Sequence, residues 1–140
     1  MNAPGTEFLD TNVLVYAFST DARAGTAEKL LARGCRVGLQ GLNEFANVAR
    51  RKLGMSWPEV RDALDVIRTL SSATVPMDLE SHAAALAMAE RYRLSFFDAL
   101  MVASALGAGC TTFWSEDMQD GLLVDGRLLV RNPFAGAAGG

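Results

Sequence analysis

A three-layer α/β/α sandwich, with a central and mostly parallel sheet of four or five strands, is predicted from three features of the 140-residue chain. Short apolar runs alternate with segments of helical periodicity. The segments between runs are long enough for right-handed crossovers, so the strands they join should pair in parallel. Half of the residues are hydrophobic and 8% are aromatic, enough for one well-buried core. One domain is expected over residues 1–134. The tail "AGAAGG", residues 135–140, has no large side chain to pack and is expected to be disordered.

After a loose leader to Thr6, the run Glu7 to Val15 predicts the first strand. Ala24, Ala27, Leu30 and Leu31 stand at helical spacing, which predicts a helix from Asp21 or Arg23 to Arg33, ended by Gly34. Arg36 to Gln40 reads as a second strand and Leu42 to Leu53 as a helix stopped by Gly54. "SWPEV" is a helix start: Ser56 can cap, Pro58 fits the first turn and Glu59 suits the positive end of a helix running to Leu70. Ala73 to Val75 is the third strand. A helix follows from Asp78 or Leu79 to Tyr92, and another from Ser95 or Phe97 to Leu106, closed by Gly107 and Gly109. Cys110 to Trp114 is the fourth strand and Leu128 to Val130 the fifth.

The formal net charge of -3 argues against a general basic surface for nucleic acid. Eleven of the 13 basic residues are arginines, and Arg50-Arg51-Lys52 is the densest run, at a helix end where the dipole favours cations. No apolar stretch approaches the roughly 20 residues that span a bilayer, and no basic segment leads into a long apolar one, so a cytoplasmic protein without membrane contact is expected. Cys35 and Cys110 are not in a CxxC pair and lie in apolar company, as buried free thiols do. His82 falls on an amphipathic helix away from the acidic loops, and a surface or structural role is expected. Trp57, Trp114 and Phe97 could stack on an unpaired base, but aromatics beside strands and helices are more often core.

In an open parallel sheet, ligands bind beyond the carboxyl ends of the strands. Four acids fall there. Asp10 lies within or at the end of the first strand, Glu44 in the first turn of the helix after the second, Asp98 at the opening of "LSFFDALMVASAL", and Asp117 after the fourth strand in "TTFWSEDMQDG". Each has a plainer explanation. Asp10 could satisfy turn amides with Thr11 and Asn12; Glu44 could favour a helix N-terminus; Asp98 could complete a capping box with Ser95; Asp117 could be a turn residue like Glu116 and Asp120. Together these explanations weaken, because acids crowded in one cleft must hold protons or share a cation. Without a His or Cys cluster, Mg2+ or Mn2+ is the expected ion rather than zinc.

The pieces "FLDTNVLVYA", "LNEFANVARRK", "FFDALMVASALGAGC" and "WSEDMQDG" resemble, in their order, the PIN-domain nucleases, including the VapC-like toxins of bacterial toxin–antitoxin pairs. The resemblance covers Glu7 to Val130. It implies that Asp10, Glu44, Asp98 and Asp117 are the acidic metal-binding and catalytic cluster, with Asn12 and Ser115 as polar supports. Where Ser115 stands the family usually has threonine, and Glu116 or Asp120 could take or share the role of Asp117. The implied activity is divalent-metal-dependent endoribonuclease cleavage, with RNA as substrate, a small antitoxin as partner and a homodimer as assembly. Arg50 and Arg51 are candidate substrate contacts.

Such chemistry needs an activated water and a stabilised leaving oxygen, both within reach of carboxylate-held ions, and no covalent intermediate. An aspartate-based phosphatase or receiver-like domain also puts an aspartate after the first strand, but it needs a lysine near a late strand, and the only lysines are Lys29 and Lys52. A non-catalytic binding module that kept the fold is the other alternative. All four acids being present disfavours it.

Overall fold

The computed structural model describes residues 6–135. The chain runs β1 (Glu7–Leu9), α1 (Thr11–Ala17), α2 (Ala24–Ala32), β2 (Arg36–Gly38), α3 (Leu39–Arg51), α4 (Trp57–Leu70), β3 (Ala73–Val75), α5 (Leu79–Tyr92), α6 (Phe96–Gly107), β4 (Thr112–Trp114), β5 (Leu123–Val124) and β6 (Leu128–Arg131). The strands order as β3-β2-β1-β4-β6-β5, all neighbours parallel except β5 and β6. The sheet therefore has six strands among the described residues where four or five were expected. The extra one, β5, is two residues long and too short to carry a hydrophobic period; it pairs antiparallel with β6 across a turn in which Asp125 and Gly126 both adopt positive φ.

Alternation along β1 builds the layers. Successive side chains leave a strand on opposite faces, so Leu9 joins a core with Val13 and Leu14 of α1, Leu30 and Leu31 of α2, Phe45 of α3 and Ile67 of α4. Phe8 points the other way, stacks on Phe113 with ring centroids 5.4 Å apart, and packs with Met101, Val102 and Leu106 of α6 and with Leu128 and Val130 of β6. Burying a side chain of this size contributes about 1.5–3 kcal/mol each. Backbone approaches closely at Gly38, where a Cβ would lie 3.0 Å from the Phe8 ring.

Two expectations about local structure are corrected. The first strand ends at Leu9, and the residues Val13 to Val15, expected as its continuation, are helical. Val13, Leu14 and Ala17 bury against the sheet at helical spacing, and Asp10 supplies the cap, its side chain accepting from Thr11 N–H. The run is apolar enough for either structure, and the capping residue before it decides the matter. The third helix also begins earlier than expected, at Leu39 directly after β2, with Gly38 as its N-cap. Glu44 consequently stands in the second turn, not the first, and is no partner for the helix N-terminus.

Elsewhere the local signals hold. Ser56 and Glu59 form the reciprocal capping box with Pro58 in the first turn of α4, Asp78 caps α5, and Ser95 caps α6 by accepting from Asp98 N–H. Cys35 and Cys110 are buried and not joined in a disulfide. Burial and the neighbouring Glu7 push the Cys35 thiol up to about 12, and burial pushes that of Cys110 up to about 11. His82 is exposed on α5, edge-on to Phe96. Among the described residues no helix is long and apolar enough to cross a membrane. The predicted disordered tail at 135–140 lies, apart from Ala135, outside the described residues.

Candidate metal centre

Asp10 sits where the sheet order reverses, with β2 on one side of β1 and β4 on the other, the crevice at which open parallel sheets bind ligands. Its backbone continues the ladder, N–H to the Trp114 carbonyl at 3.0 Å, while Ser115 N–H bonds to the Arg131 carbonyl at 2.9 Å. Adjacent strand ends thus bring Asp10 and Ser115 side by side. The carboxylate of Asp10 is buried, 4% exposed. Oδ1 accepts from Thr11 N–H at 2.8 Å, and Oδ2 accepts from the Ser115 hydroxyl at 2.7 Å and from Asn12 Nδ2 at 3.5 Å. Every one of these donors is neutral.

The other three acids come to the same edge. Asn12 Nδ2 also donates to Asp117 Oδ2 at 3.0 Å, and Asp117 N–H donates to Ser115 Oγ at 3.2 Å. Glu44 is tied to the start of α1, its Oε1 accepting from the Thr11 hydroxyl and its Oε2 from Gln40 Nε2, both at 2.9 Å. Asp98, in the first turn of α6, is close enough for its charge to raise the pKa of Asp10. Burial pushes the Asp10 carboxyl up to about 7; hydrogen bonds from Ser115 and Thr11 oppose this, and the charges of Asp98 and Asp117 add to it. Asp98 is raised as well, by burial first and then by Asp117 and Glu44, with the Ser95 hydroxyl opposing.

Among the described residues no ion pair joins Asp10, Glu44, Asp98 or Asp117 to a basic side chain. Their donor chemistry, carboxylate oxygens backed by hydroxyl and amide groups, fits a hard divalent cation, which would relieve both the burial and the mutual repulsion. The arrangement is open: among the described residues no three His, Cys, Asp or Glu side chains are already gathered as a ligand set.

The sequence alone does not single out Thr11 and Gln40 as the groups that orient Glu44. Both left a signal: Thr11 follows the capping Asp10, and Gln40 is four residues before Glu44, on the same helix face. Asp120 is engaged elsewhere, accepting from Asn132 N–H at 2.9 Å. Arg50 closes the turn between α3 and α4, donating to the Met55 carbonyl at 2.8 Å and lying over the Trp57 ring; Arg51 is exposed at the end of α3. Of the aromatics expected in the core, only Trp114 is even partly buried, and its indole N–H donates to Glu7; Trp57 and Phe97 are 56% and 58% exposed.

The fold has solved counterparts. VapC20 of Mycobacterium tuberculosis, a sarcin-ricin loop cleaving toxin, superposes with a TM-score of 0.65 at 22% identity, covering 79% of this chain and 91% of that one. A toxin–antitoxin complex from Klebsiella pneumoniae gives 0.70 at 18% identity over 91% of this chain and 97% of its own. FitAcB from Neisseria gonorrhoeae gives 0.65 at 16% identity, with 92% and 99% covered. A comparison with curated protein sequences gives no match. Residues 8–119 match the family model of the PIN domain, which runs from within β1 through β4 and includes all four acids, and the chain accordingly belongs to the PIN domain family.

Proposed function

We propose that the protein is a divalent-metal-dependent endoribonuclease, the toxin of a toxin–antitoxin pair. The observation that carries this reading is a buried, acid-crowded Asp10 with neutral donors around it and no basic partner among the described residues. Asp10 and Asp98 would hold the principal ion, with Glu44 and Asp117 completing its surroundings and Asn12, Ser115, Thr11 and Gln40 fixing their orientation. Bound Mg2+ or Mn2+ supplies an activated water and offsets charge growing on the leaving oxygen. The acids otherwise repel a polyanion, so RNA binding and ion binding should be coupled.

The toxin role draws support from the fold neighbours, a toxin that cleaves the sarcin-ricin loop and a toxin–antitoxin complex. An antitoxin covering the acidic cleft with a basic side chain, a homodimer and a cytoplasmic location belong to the same proposal, as does a single domain over residues 1–134. The open arrangement of the acids favours one alternative, a PIN-fold module that binds without cleaving. The two readings separate on purified protein given cellular RNA and Mn2+. The nuclease reading expects defined new RNA ends, abolished by EDTA and by Asp98→Asn. Ion binding without any cleavage, in wild-type protein freed of partner, would favour the module.

A further inference from the structure

Glu116 lies between Ser115 and Asp117 in the loop after β4, yet it faces a different set of groups. Its Oε1 accepts from the Tyr16 hydroxyl at 2.6 Å and its Oε2 from Arg23 Nη1 at 2.9 Å. The arginine is itself fixed: its Nε and Nη2 form a fork on Asp21 at 2.8 and 3.0 Å, which leaves Nη1 for Glu116, and its guanidinium lies 4.5 Å from the centroid of the Tyr16 ring. Tyr16 in turn packs edge-on against the buried Phe134 at 5.1 Å. We propose that Tyr16, Arg23 and Glu116 form an anchor that holds the Ser115–Asp117 loop over the end of β1, making Glu116 a positioning residue and not an ion ligand.

Three features make the anchor specific. Both carboxylate oxygens of Glu116 are occupied by donors, so it could turn toward an ion only by breaking two short bonds. Tyr16 belongs to α1, the helix that Asp10 caps, so one element carries an acid at its start and a tether to the second acid's loop near its end. Asp117 is exposed; Asn12 and Ser115 hold it, Glu116 N–H donates to Asn12 Oδ1 at 3.4 Å, and the Glu116 side chain adds a tie from this loop to α1's far end and to Arg23. Arg23 and Glu116 are only partly exposed, at 37% and 25%.

The inference rests on the nuclease reading, and the test separates the two. Wild type, Tyr16→Phe, Glu116→Gln and Arg23→Lys are compared in three ways: amide hydrogen exchange of residues 115–118 in the ion-free protein, Mn2+ affinity by calorimetry, and kcat and KM for RNA. Tyr16→Phe keeps the ring and its packing, so it stays folded if the more perturbing variants do not. The anchor predicts faster exchange at 115–118, Mn2+ affinity or kcat weakened about ten- to a hundred-fold, and KM changed less. Unchanged exchange and Mn2+ affinity in variants of a wild type that binds Mn2+ would overturn the anchor. A Glu116→Gln protein that lost one bound ion outright, with normal loop exchange, would make Glu116 a ligand and overturn it too. A wild type that binds no Mn2+ defeats the nuclease reading itself.

Discussion

Glu7 opens β1 and Asp10 directly follows it; both are buried carboxylates, and their surroundings differ in sign. Glu7, 4% exposed, is met by Arg33 at 2.7 Å and by the Trp114 indole at 3.1 Å. Asp10 meets neutral donors and two further acids. Neutralised burial is a structural device, whereas burial without a counter-charge holds the group ready for a cation. The consequence for stability has a definite sign. Because the folded carboxyl is raised to about 7 from an ordinary 3.8, the ion-free folded state holds the proton more tightly than the unfolded one. Asp10 therefore removes stability as pH rises from about 4 to about 7, by up to roughly 4 kcal/mol, with the loss complete above that range. Asp10→Asn should abolish cleavage while raising the melting temperature of EDTA-treated protein at pH 8, and should flatten its fall between about pH 4 and 7. Ser115 can rotate its hydroxyl to accept from the new amide. A destabilised variant that still cleaved at the wild-type rate would return Asp10 to the role of a turn residue.

At the scale of elements, sequence signals succeed where chemistry is local. The capping box of α4 and the caps of α5 and α6 each place a side-chain oxygen on an exposed N–H, a bond that depends on neighbours three residues away. Where two structures suit the same apolar run, periodicity alone misleads, as at Val13 to Val15. The start of α3 is obscured for a related reason: Leu39 and Gln40 continue the apolar-polar alternation of β2, yet they form the first residues of the helix. Val60, Leu64, Ile67 and Leu70 stand at helical spacing on α4, but only Val60 and Ile67 lie in the core, Leu64 packs against it and Leu70 is 40% exposed. Ser56→Ala should lower stability by about 1 kcal/mol in denaturant unfolding and leave RNA cleavage unchanged, since α4 contributes none of the acids. A large loss of activity in a folded Ser56→Ala protein would tie α4 to the site after all.

For the whole molecule, the four acids share one edge because parallel strands point their carboxyl ends the same way and the sheet order reverses at β1, although among the described residues they are not closed into a ligand set. The uncompensated charge at that edge should make the fold respond to cations. Mg2+ or Mn2+ at a hundred times its dissociation constant should stabilise the protein by about 2.7 kcal/mol, a rise of several degrees in melting temperature that EDTA reverses. Asp98→Asn should blunt the rise. A melting temperature indifferent to either ion up to tens of millimolar would count against a metal centre.

The sequence by itself determined the alternation of strands and helices, the caps and the buried thiols, and it picked out the four acids as candidates, because each is written in residue types and short spacings. The tertiary structure alone decided that Glu44 is oriented by Thr11, that Glu7 is neutralised and Asp10 is not, and that Glu116 turns toward Tyr16 and Arg23. These relations join residues far apart in the chain: 26 positions between Glu7 and Arg33, 33 between Thr11 and Glu44, 100 between Tyr16 and Glu116. No short spacing encodes such pairs, and only the register of adjacent strands and the helices packed on them bring the groups within hydrogen-bond reach.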